Sequence, residues 1–437
     1  LMKFAVCAIN SELNTKGLAE MSQAADRPVL VWLEDSLSLL ILSLMALLPV
    51  IEILGRTLLG RGIPGSIVLV QHMTLWITIL GAALAARSHR LLALSSLNFF
   101  PEKLHPPVRV GTSMLATGIT AILFVASLDF VRIEREAGTE LAWGIPAWLA
   151  LTILPTGFSV ITLRLIWHAA ETHQGRLLAA TGLAIPVIFG TAPLPQGREV
   201  VLPCFLLIVV ATMLEMPIFT AIGGIALLGL WSDGTPINSV PGETYRLTVN
   251  AMLPAIPLFT LGGYILAEGG ASRRLMRLFT AWVGWMPGGL AVVTALVLAF
   301  FTPLTGASGI TIVAMGGMFL PVLLKAGYPR QTSLGLVTVS GSIGLLFFPS
   351  LPVFLYAFYA KQHYKELFVG GFLPGLLLVA CVAGWAAARG WLRGAERTPF
   401  RPHVAGAAAW EAKWDLVLPV VILGSIVGGY ATLVEAA

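Results

Sequence analysis

The sequence predicts an all-α protein that crosses a membrane several times, and three observations lead to this fold class. Of its 437 residues, 57% are hydrophobic and only 11% are charged, whereas about one-quarter of the residues in a soluble domain are charged. Its mean hydropathy is +0.86. Apolar runs of about 20 residues, the length that one membrane-spanning helix needs, recur along the chain.

Four of these runs come first and predict a four-helix membrane unit over residues 35–170, preceded by a polar N-terminal segment at 1–34. The runs cover residues 35–55, 67–86, 108–131 and 145–167. The loop at 87–109 is basic, whereas the loop at 132–140 mixes two arginines with three glutamates. By the positive-inside rule the first loop is cytoplasmic and the second is external, so we expect a cytoplasmic N-terminus.

Residues 171–199 are predicted to link this unit to the rest of the chain through one further transmembrane helix. A polar stretch at 164–176 precedes the apolar run at 177–194. A single added span returns the chain to the external side of the membrane, where the region 200–437 then begins.

The region 200–437 starts with an apolar run at 200–231, which is interrupted at residues 215–217 and 223–224. Further spans are predicted at 370–388 and 415–430. The loop between them, 389–413, is strongly basic and should be cytoplasmic. Because the basic residues of the chain, which give a net charge of +5, lie in such short loops, they predict no nucleic-acid-binding surface.

The middle of this region is the most unusual part of the sequence. Residues 278–324 contain no charged side chain, and this run is more than twice as long as one span of about 20 residues. Glycine, proline and small polar residues interrupt it and a second uncharged run, 331–360, at residues 287–289, 302–303, 305–309, 316–317, 340–342 and 348–352. Non-helical backbone inside a membrane is tolerated only where protein covers it or where it lines an aqueous cavity. Two broken segments of this kind predict a binding site near the membrane midplane, with a deep turn at 305–309.

The residues at these breaks offer oxygen ligands. The hydroxyl and carbonyl oxygens around Thr305, Ser308, Thr311, Ser340 and Ser342 are hard ligands that suit a small alkali cation at the ends of half-helices. An alternative interpretation is structural, because small residues let helices approach closely and their hydroxyls hydrogen-bond across. The sequence contains no Walker-type phosphate-binding loop, so an ion gradient is the expected energy source.

Glu215 is a second kind of candidate, because an acidic residue within an apolar run is costly and usually functional. It precedes Pro217 in the run at 200–231, and we consider it a possible ion- or proton-coupling group. The three cysteines and seven histidines are scattered along the chain, so we predict no metal centre.

Two classes of function are compatible with a broken-helix membrane protein. The first is a secondary transporter, and the second is a membrane-embedded enzyme or a non-transporting assembly subunit. An enzyme needs converging His, Asp, Glu or Cys groups, and the apolar runs offer few of them. Uncharged hairpins rich in glycine and proline are typical of carriers, which favours transport.

Several motifs resemble a known family. In the second half of the chain these are IPLFTLGG at 256–263, FTPLTGASG at 301–309, AGY at 326–328, SGSIG at 340–344, FPSLP at 348–352 and GFLPG at 371–375. They resemble, in order and spacing, the first half of the large membrane subunit of tripartite ATP-independent periplasmic (TRAP) transporters. LGAALAARSH at 80–89 and LPTGF at 154–158 resemble the small membrane subunit of the same transporters.

The resemblance implies a fused small and large permease with a linker helix, followed by the first inverted repeat of the large subunit with a re-entrant hairpin and broken helices. The segment 428–437 resembles the middle of the large subunit, so we expect this chain to contain about half of it and not to transport alone. The expected location is the bacterial cytoplasmic (inner) membrane.

The resemblance also implies a function. The complete transporter would import organic acids such as carboxylates, delivered by a periplasmic binding protein, through elevator-like movement of the broken-helix part. Sodium is the expected coupling ion, with no other cofactor, nucleotide or nucleic acid. The expected ion-binding residues are Thr305, Gly306, Ala307, Ser308, Gly309, Ser340, Gly341, Pro349 and Ser350, and the expected substrate contacts are Ser308, Thr311 and Ser342.

Overall fold

A computed structural model of the chain describes residues 29–94, 97, 100–191, 198–306, 308–392, 394 and 399–437. Throughout these residues the regular structure is helical, apart from an isolated β-bridge between Glu140 and Pro146. The all-α fold class is therefore confirmed. The chain divides into two compact units, with the boundary between Val249 and Asn250.

The first unit contains ten α-helices within its described residues. They are α1 (Val29–Leu58), α2 (Ser66–Arg87), α3 (His105–Ala137), α4 (Ala147–Leu151), α5 (Ile153–His168), α6 (His173–Ala180), α7 (Ala184–Thr191), α8 (Arg198–Met213), α9 (Ile218–Ser232) and α10 (Ser239–Thr248). The core of this unit lies where α2, α3, α5, α8 and α9 meet, around Ala83, Ile119, Ile161 and Ile208. It forms because each of these helices carries apolar residues over most of its length.

Within the described residues, five helical segments are long and apolar enough to cross a membrane: Val31–Leu58, Ser66–Arg87, Glu102–Ala137, Ala147–His168 and Tyr364–Leu392. The first four cover the four runs that the sequence predicts as spans, and the fifth covers the run at 370–388. The polar segment predicted at 1–34 lies largely outside the described residues.

The region of the predicted linker helix is helical throughout its described residues. It comprises α6, a 3₁₀ turn at Thr181–Leu183 and α7. Residues 192–197 lie outside the described part, so the single membrane span stays a prediction. Gly182 packs so closely on α3 that an added Cβ atom would lie 2.2 Å from the Met114 carbonyl oxygen. The turn therefore allows a backbone contact that a side chain would prevent.

The second unit is built around one buried helix. Its helices are α11 (Ala255–Glu268), α12 (Ala271–Val283), α13 (Gly289–Thr305), α14 (Ser308–Lys325), α15 (Arg330–Ile343), a 3₁₀ turn (Gly344–Leu346), α16 (Leu351–Ala360), α17 (Tyr364–Leu392), α18 (Pro402–Glu411), α19 (Lys413–Val427) and α20 (Leu433–Ala436). Helix α13 supplies Leu298 and Phe301, both fully buried, and α14 adds Phe319 to the same core. Most residues of α13 are apolar and buried, as expected for a helix in the core of this unit.

The predicted breaks prove to be of two kinds. The chain leaves the helical conformation at residues 214–217, 284–288 and 347–350 and at Gly306, and these positions interrupt successive helices. The breaks predicted at 223–224, 302–303, 316–317 and 340–342 are wrong, because these residues lie inside α9, α13, α14 and α15.

Close packing explains these continuous helices. A Cβ atom added at Gly224 would lie 2.7 Å from Cδ1 of Ile119, and one added at Gly341 would lie 2.6 Å from Cγ1 of Ile312. These glycines let two helices approach and do not end either of them. Pro303 lies in the last turn of α13, where it lacks the N–H that would donate to the carbonyl oxygen four residues earlier.

Candidate ion-binding site

The turn between α13 and α14 is the first part of the site. Helix α13 ends at Thr305, and Gly306 follows with a φ of 71° while its N–H donates to the Thr302 carbonyl oxygen over 3.0 Å. This left-handed conformation suits glycine, which has no Cβ atom to oppose it. Thr302 and Thr305 are almost completely buried. The predicted turn is therefore present and begins inside the protein.

Two buried hydroxyls hold this turn. The Oγ1 atoms of Thr305 and Thr311 lie 2.5 Å apart, so one hydroxyl donates to the other across the turn. The Thr305 hydroxyl also lies 3.1 Å from the Thr302 carbonyl oxygen. Both threonine side chains are at most 1% exposed. Such hydrogen bonds fix the start of α14 relative to the end of α13.

The second break follows α15 and contains two buried serines. Ser340 lies in the last turn of α15, and Ser350 directly precedes α16. Both residues have 0% relative exposure, and neither hydroxyl oxygen has a hydrogen-bond partner within the described residues. A buried hydroxyl without a partner is costly, by about 1–3 kcal/mol. Two such groups beside one chain break need an explanation.

The two breaks lie against each other. A Cβ atom added at Gly344 would lie 2.5 Å from Cβ of Thr302 and 2.7 Å from the Ala299 carbonyl oxygen. A Cβ atom added at Gly341 would lie 3.8 Å from the Ser308 carbonyl oxygen. The structure thus brings the end of α15 beside both the end of α13 and the start of α14.

Aromatic rings pack around the second break. The ring centroids of Phe348 and Phe368 lie 5.0 Å apart, those of Phe354 and Phe368 lie 5.1 Å apart, and both pairs meet edge to face. This geometry is favourable for aromatic pairs. Pro349, which follows Phe348 in the chain, is buried.

Other predicted residues occupy different positions. Ser308 is half-buried and Gly309 is exposed at the start of α14, and Ala307 lies outside the described residues. Ser342 is exposed, and its hydroxyl donates to the Thr338 carbonyl oxygen over 3.0 Å. The structure therefore does not place Ser342 with the buried hydroxyl of Ser340.

Glu215 belongs to the first unit and is described there. It lies in the break between α8 and α9 with a φ of 77°, which is unusual for a residue other than glycine. It lines a cavity of about 160 Å³ together with Arg109, Arg164, His89 and His168. The two histidine ring centroids lie 3.8 Å apart. Glu215 thus shares a cavity with basic residues, and its coupling role stays a prediction.

The sequence reasoning missed an ion-pair network in the first unit. Arg164 Nη2 lies 2.5 Å from Glu34 Oε1, and Arg164 also donates to the Ala83 carbonyl oxygen over 2.8 Å. Arg87 contacts Glu34 at 3.2 Å and Asp35 at 2.5 Å. The sequence does contain a signal for this network. Glu34 and Asp35 lie near the start of the first span, and Arg87 and Arg164 lie near the ends of two others.

A second missed contact joins His72 on α2 to Tyr245 on α10. His72 Nδ1 lies 2.7 Å from the Val68 carbonyl oxygen, so Nδ1 carries the proton and Nε2 accepts from the Tyr245 hydroxyl over 2.9 Å. Burial, with a smaller contribution from the Glu134 carboxylate, raises the pKa of the Tyr245 hydroxyl above its ordinary value. Tyr245 therefore remains a donor at physiological pH.

The arrangement around the two breaks suits a small, hard cation. Its available ligands are hydroxyl and backbone carbonyl oxygens, which alkali ions prefer. Within the described residues there is no group of three or more His, Cys, Asp or Glu side chains that could hold a metal ion. An uncharged site of this kind has no side chain that would act as a catalytic acid or base.

Comparisons with known proteins identify the family. The family description "Tripartite ATP-independent periplasmic transporter, DctM component" matches residues 203–437, which is just over half of the chain. The corresponding description for the DctQ component matches residues 45–175. The two component types therefore occur in one chain.

Individual relatives agree with this assignment. The isethionate TRAP transporter permease protein DctMQ of Oleidesulfovibrio alaskensis is 29% identical over 387 residues, which are 84% of this chain and 59% of the relative. The C4-dicarboxylate TRAP transporter large permease protein DctM of Vibrio cholerae is 33% identical over 241 residues, 53% of this chain and 52% of the relative. The ectoine TRAP transporter large permease protein TeaC of Halomonas elongata is 34% identical over 191 residues, 43% of this chain and 44% of the relative.

These relatives are transporter permeases and not enzymes, which sets aside the enzyme hypothesis. The chain spans between about two-fifths and three-fifths of the length of each of these relatives. Its apolar helices and its matches to the DctQ and DctM components agree with a multi-pass protein of the bacterial inner membrane. The chain belongs to the tripartite ATP-independent periplasmic transporter family and combines a DctQ-type region with a DctM-type region.

Proposed function

We propose that the transporter containing this chain is driven by sodium, and that the coupling ion binds between the α13–α14 turn and the break after α15. The observation that carries this proposal is the pair of buried hydroxyls of Ser340 and Ser350, which have no partner among the described residues. A dehydrated sodium ion would accept both oxygens as ligands. It would thereby remove the cost of leaving them unpaired.

Backbone oxygens would complete the coordination. The last carbonyl groups of a helix lack intrahelical donors, and α13 ends at the buried residues Thr305 and Gly306. The C-terminal end of a half-helix also carries a partial negative charge that attracts cations. On this proposal Thr305, Gly306, Ala307, Ser308, Gly309, Gly341 and Pro349 position backbone around the ion.

We further propose that the substrate is an organic acid such as a carboxylate, delivered by a periplasmic binding protein. The names of the relatives specify isethionate, C4-dicarboxylates and ectoine, and each of these compounds carries an acidic group. Ser308 and Ser342, which are less buried than Ser340, are the proposed substrate contacts, together with Thr311. Movement of the broken-helix region would carry substrate and ion across the membrane.

The experiment is uptake by the complete permease, reconstituted in proteoliposomes with its binding protein. We expect an inward sodium gradient to drive uptake and a proton gradient alone to fail. Ser340→Ala should raise the external sodium concentration needed for half-maximal uptake several-fold, since one oxygen ligand is worth about 1 kcal/mol. Ser333→Ala is the matched control, because Ser333 is equally buried on α15 but its hydroxyl already donates to the Pro329 carbonyl oxygen.

Uptake that is indifferent to sodium and driven by a proton gradient would overturn the proposal. In that case Glu215, with its neighbouring histidines and arginines, would become the group to test for proton coupling.

A further inference from the structure

The second unit contains a cavity of about 610 Å³ between α12, α13, α14 and α18. Its walls are mostly apolar and include Met276, Leu290, Val322 and Val404. A volume of this size lies within the range of small-molecule sites, about 300–1,000 Å³. Walls of this composition suit a hydrocarbon chain better than the acidic substrate of the transporter.

The charges at this cavity are predominantly positive. Arg277, Arg401 and Glu411 line it. Arg277 and Glu411 form an ion pair with an Nη1–Oε2 distance of 3.5 Å, and both side chains are more than half exposed, so this pair contributes little. Arg401 is exposed and forms no ion pair with any residue that the structure describes. Among the described residues, the Arg401 guanidinium therefore stands beside apolar walls and is not paired with Glu411, the acidic residue that lines the cavity.

The surrounding surface is typical of a membrane–water interface. Helix α12 buries Ala271, Leu275 and Leu278. Arg273 and Arg277 of the same helix are exposed. Four tryptophans in this region are more than half exposed. They are Trp282 on α12, Trp285 just after α12, Trp410 on α18 and Trp414 on α19. The Lys413 ammonium lies 3.4 Å from the ring centroid of Trp410. Exposed tryptophans with basic residues mark the headgroup level of a bilayer.

We propose that this cavity binds one anionic phospholipid. An acyl chain would lie along the apolar walls, and the phosphodiester would accept hydrogen bonds from Arg401 and Arg277, which offer planar donor groups suited to phosphate. The basic loop at 389–413 is predicted to be cytoplasmic, and anionic lipids give the cytoplasmic leaflet its negative surface potential. Charge and apolar surface thus favour the same occupant.

The test is native mass spectrometry of the delipidated 437-residue chain, titrated with phosphatidylglycerol or with phosphatidylcholine of identical acyl chains. We expect one phosphatidylglycerol to bind with clear preference over phosphatidylcholine. The double variant Arg277→Gln/Arg401→Gln should weaken phosphatidylglycerol binding by about 25-fold, or about fivefold for each arginine, at roughly 1 kcal/mol per basic residue near a lipid surface. Arg330→Gln removes an exposed arginine of the same unit away from the cavity, and it should change nothing.

A second pair of variants tests the apolar part of the cavity. Ala407 lines the cavity, whereas Gly406 does not and has open space around an added Cβ atom. Ala407→Phe should therefore weaken the binding of phosphatidylglycerol, whereas Gly406→Phe on the same helix should not. Thermal unfolding of both variants, which should be unchanged, is the folding control.

Three outcomes would overturn the proposal. They are equal binding of the two lipids, equal losses in Arg330→Gln and in the double variant, and displacement of the lipid by soluble glycerol phosphate at comparable concentration. The last result would identify a site for a free phosphate group in place of a lipid site.

Discussion

At the scale of single residues, Gly306 determines the geometry of the α13–α14 turn. Its φ of 71° is accessible to glycine at no steric cost but opposed by a Cβ atom. We expect Gly306→Ala to destabilise the protein by about 1–3 kcal/mol, the usual cost of a strained backbone. Thermal unfolding in detergent measures the change.

Gly317 provides the control for this variant. It lies within α14, is exposed, and has open space around an added Cβ atom. Gly317→Ala should stabilise the protein by about 0.5–1 kcal/mol, because alanine loses less entropy than glycine in a helix. Effects of the same sign in the two variants would contradict this account of the turn.

The contact between His72 and Tyr245 gives a second residue-scale prediction. Tyr245→Phe leaves Nε2 of the buried His72 ring without its donor, and it should cost about 1–3 kcal/mol. Removing both partners in His72→Leu/Tyr245→Phe should cost less than the sum of the single changes, as a double-mutant cycle of thermal unfolding would show. Strict additivity would mean that the hydrogen bond contributes nothing.

The same contact has a defined pH dependence. Since burial raises the pKa of Tyr245 in the folded protein, folding favours the protonated hydroxyl. This contribution to stability is fully present below the ordinary tyrosine pKa of about 10 and is lost as the pH rises through the folded value. The thermal unfolding temperature should therefore fall as the pH is raised from 8 to above 10, and this fall should be smaller in Tyr245→Phe.

Residue types that act locally could be predicted from the sequence, whereas distant partners could not. Thr305, Ser340 and the turn at Gly306 follow from glycine and hydroxyl residues within an uncharged run. The contact of Glu34 with Arg164 joins residues 130 positions apart. No periodicity or spacing records such a pair, because only the packing of α1 against its neighbours brings the two side chains together.

At the scale of helices, the sequence could locate apolar segments but could not separate breaks from packing contacts. A glycine in the sequence is compatible with either feature, because it permits an unwound backbone and also allows two helices to approach closely. At Gly316 an added Cβ atom would lie 3.3 Å from Cγ1 of Val337, so this glycine serves the contact between α14 and α15. The deciding information is the position of the neighbouring helix.

The ion pair between α12 and α19 gives a prediction at this scale. Arg274 Nε and Nη2 donate to the two oxygens of Asp415 over 2.7 and 2.8 Å, and Asp415 is 6% exposed. Asp415→Asn should lower the free energy of unfolding by about 1–2 kcal/mol, less than for a fully buried pair because Arg274 is partly exposed. Asp129→Asn, which breaks the exposed pair with Arg132, should cost less than about 0.5 kcal/mol. Equal shifts in the thermal unfolding temperature of the two variants would show that the Arg274–Asp415 pair stabilises the protein no more than an exposed pair does.

At the scale of the whole molecule, the asymmetry of loop charges predicts the topology. In intact cells, an impermeant thiol reagent should label a single cysteine placed at Gly138, in the external loop, and should spare one placed at Gly394, in the basic loop. Both positions should react after the cells are permeabilised, which controls for accessibility. Labelling at position 394 in intact cells would invert the predicted orientation.

The central claim is that sodium binds where the hydroxyls of Ser340 and Ser350 are buried without partners, and thermal unfolding of the purified 437-residue chain tests it most directly. Sodium at ten times its Kd should stabilise the native chain by about 1.4 kcal/mol relative to a potassium buffer of equal ionic strength. Ser340→Ala should lose most of this difference without being less stable in potassium, because it removes an unpaired buried hydroxyl. Ser333→Ala should keep the sodium effect. An equal sodium effect in Ser340→Ala and in the unaltered chain, or the absence of any sodium effect in the latter, would contradict the account.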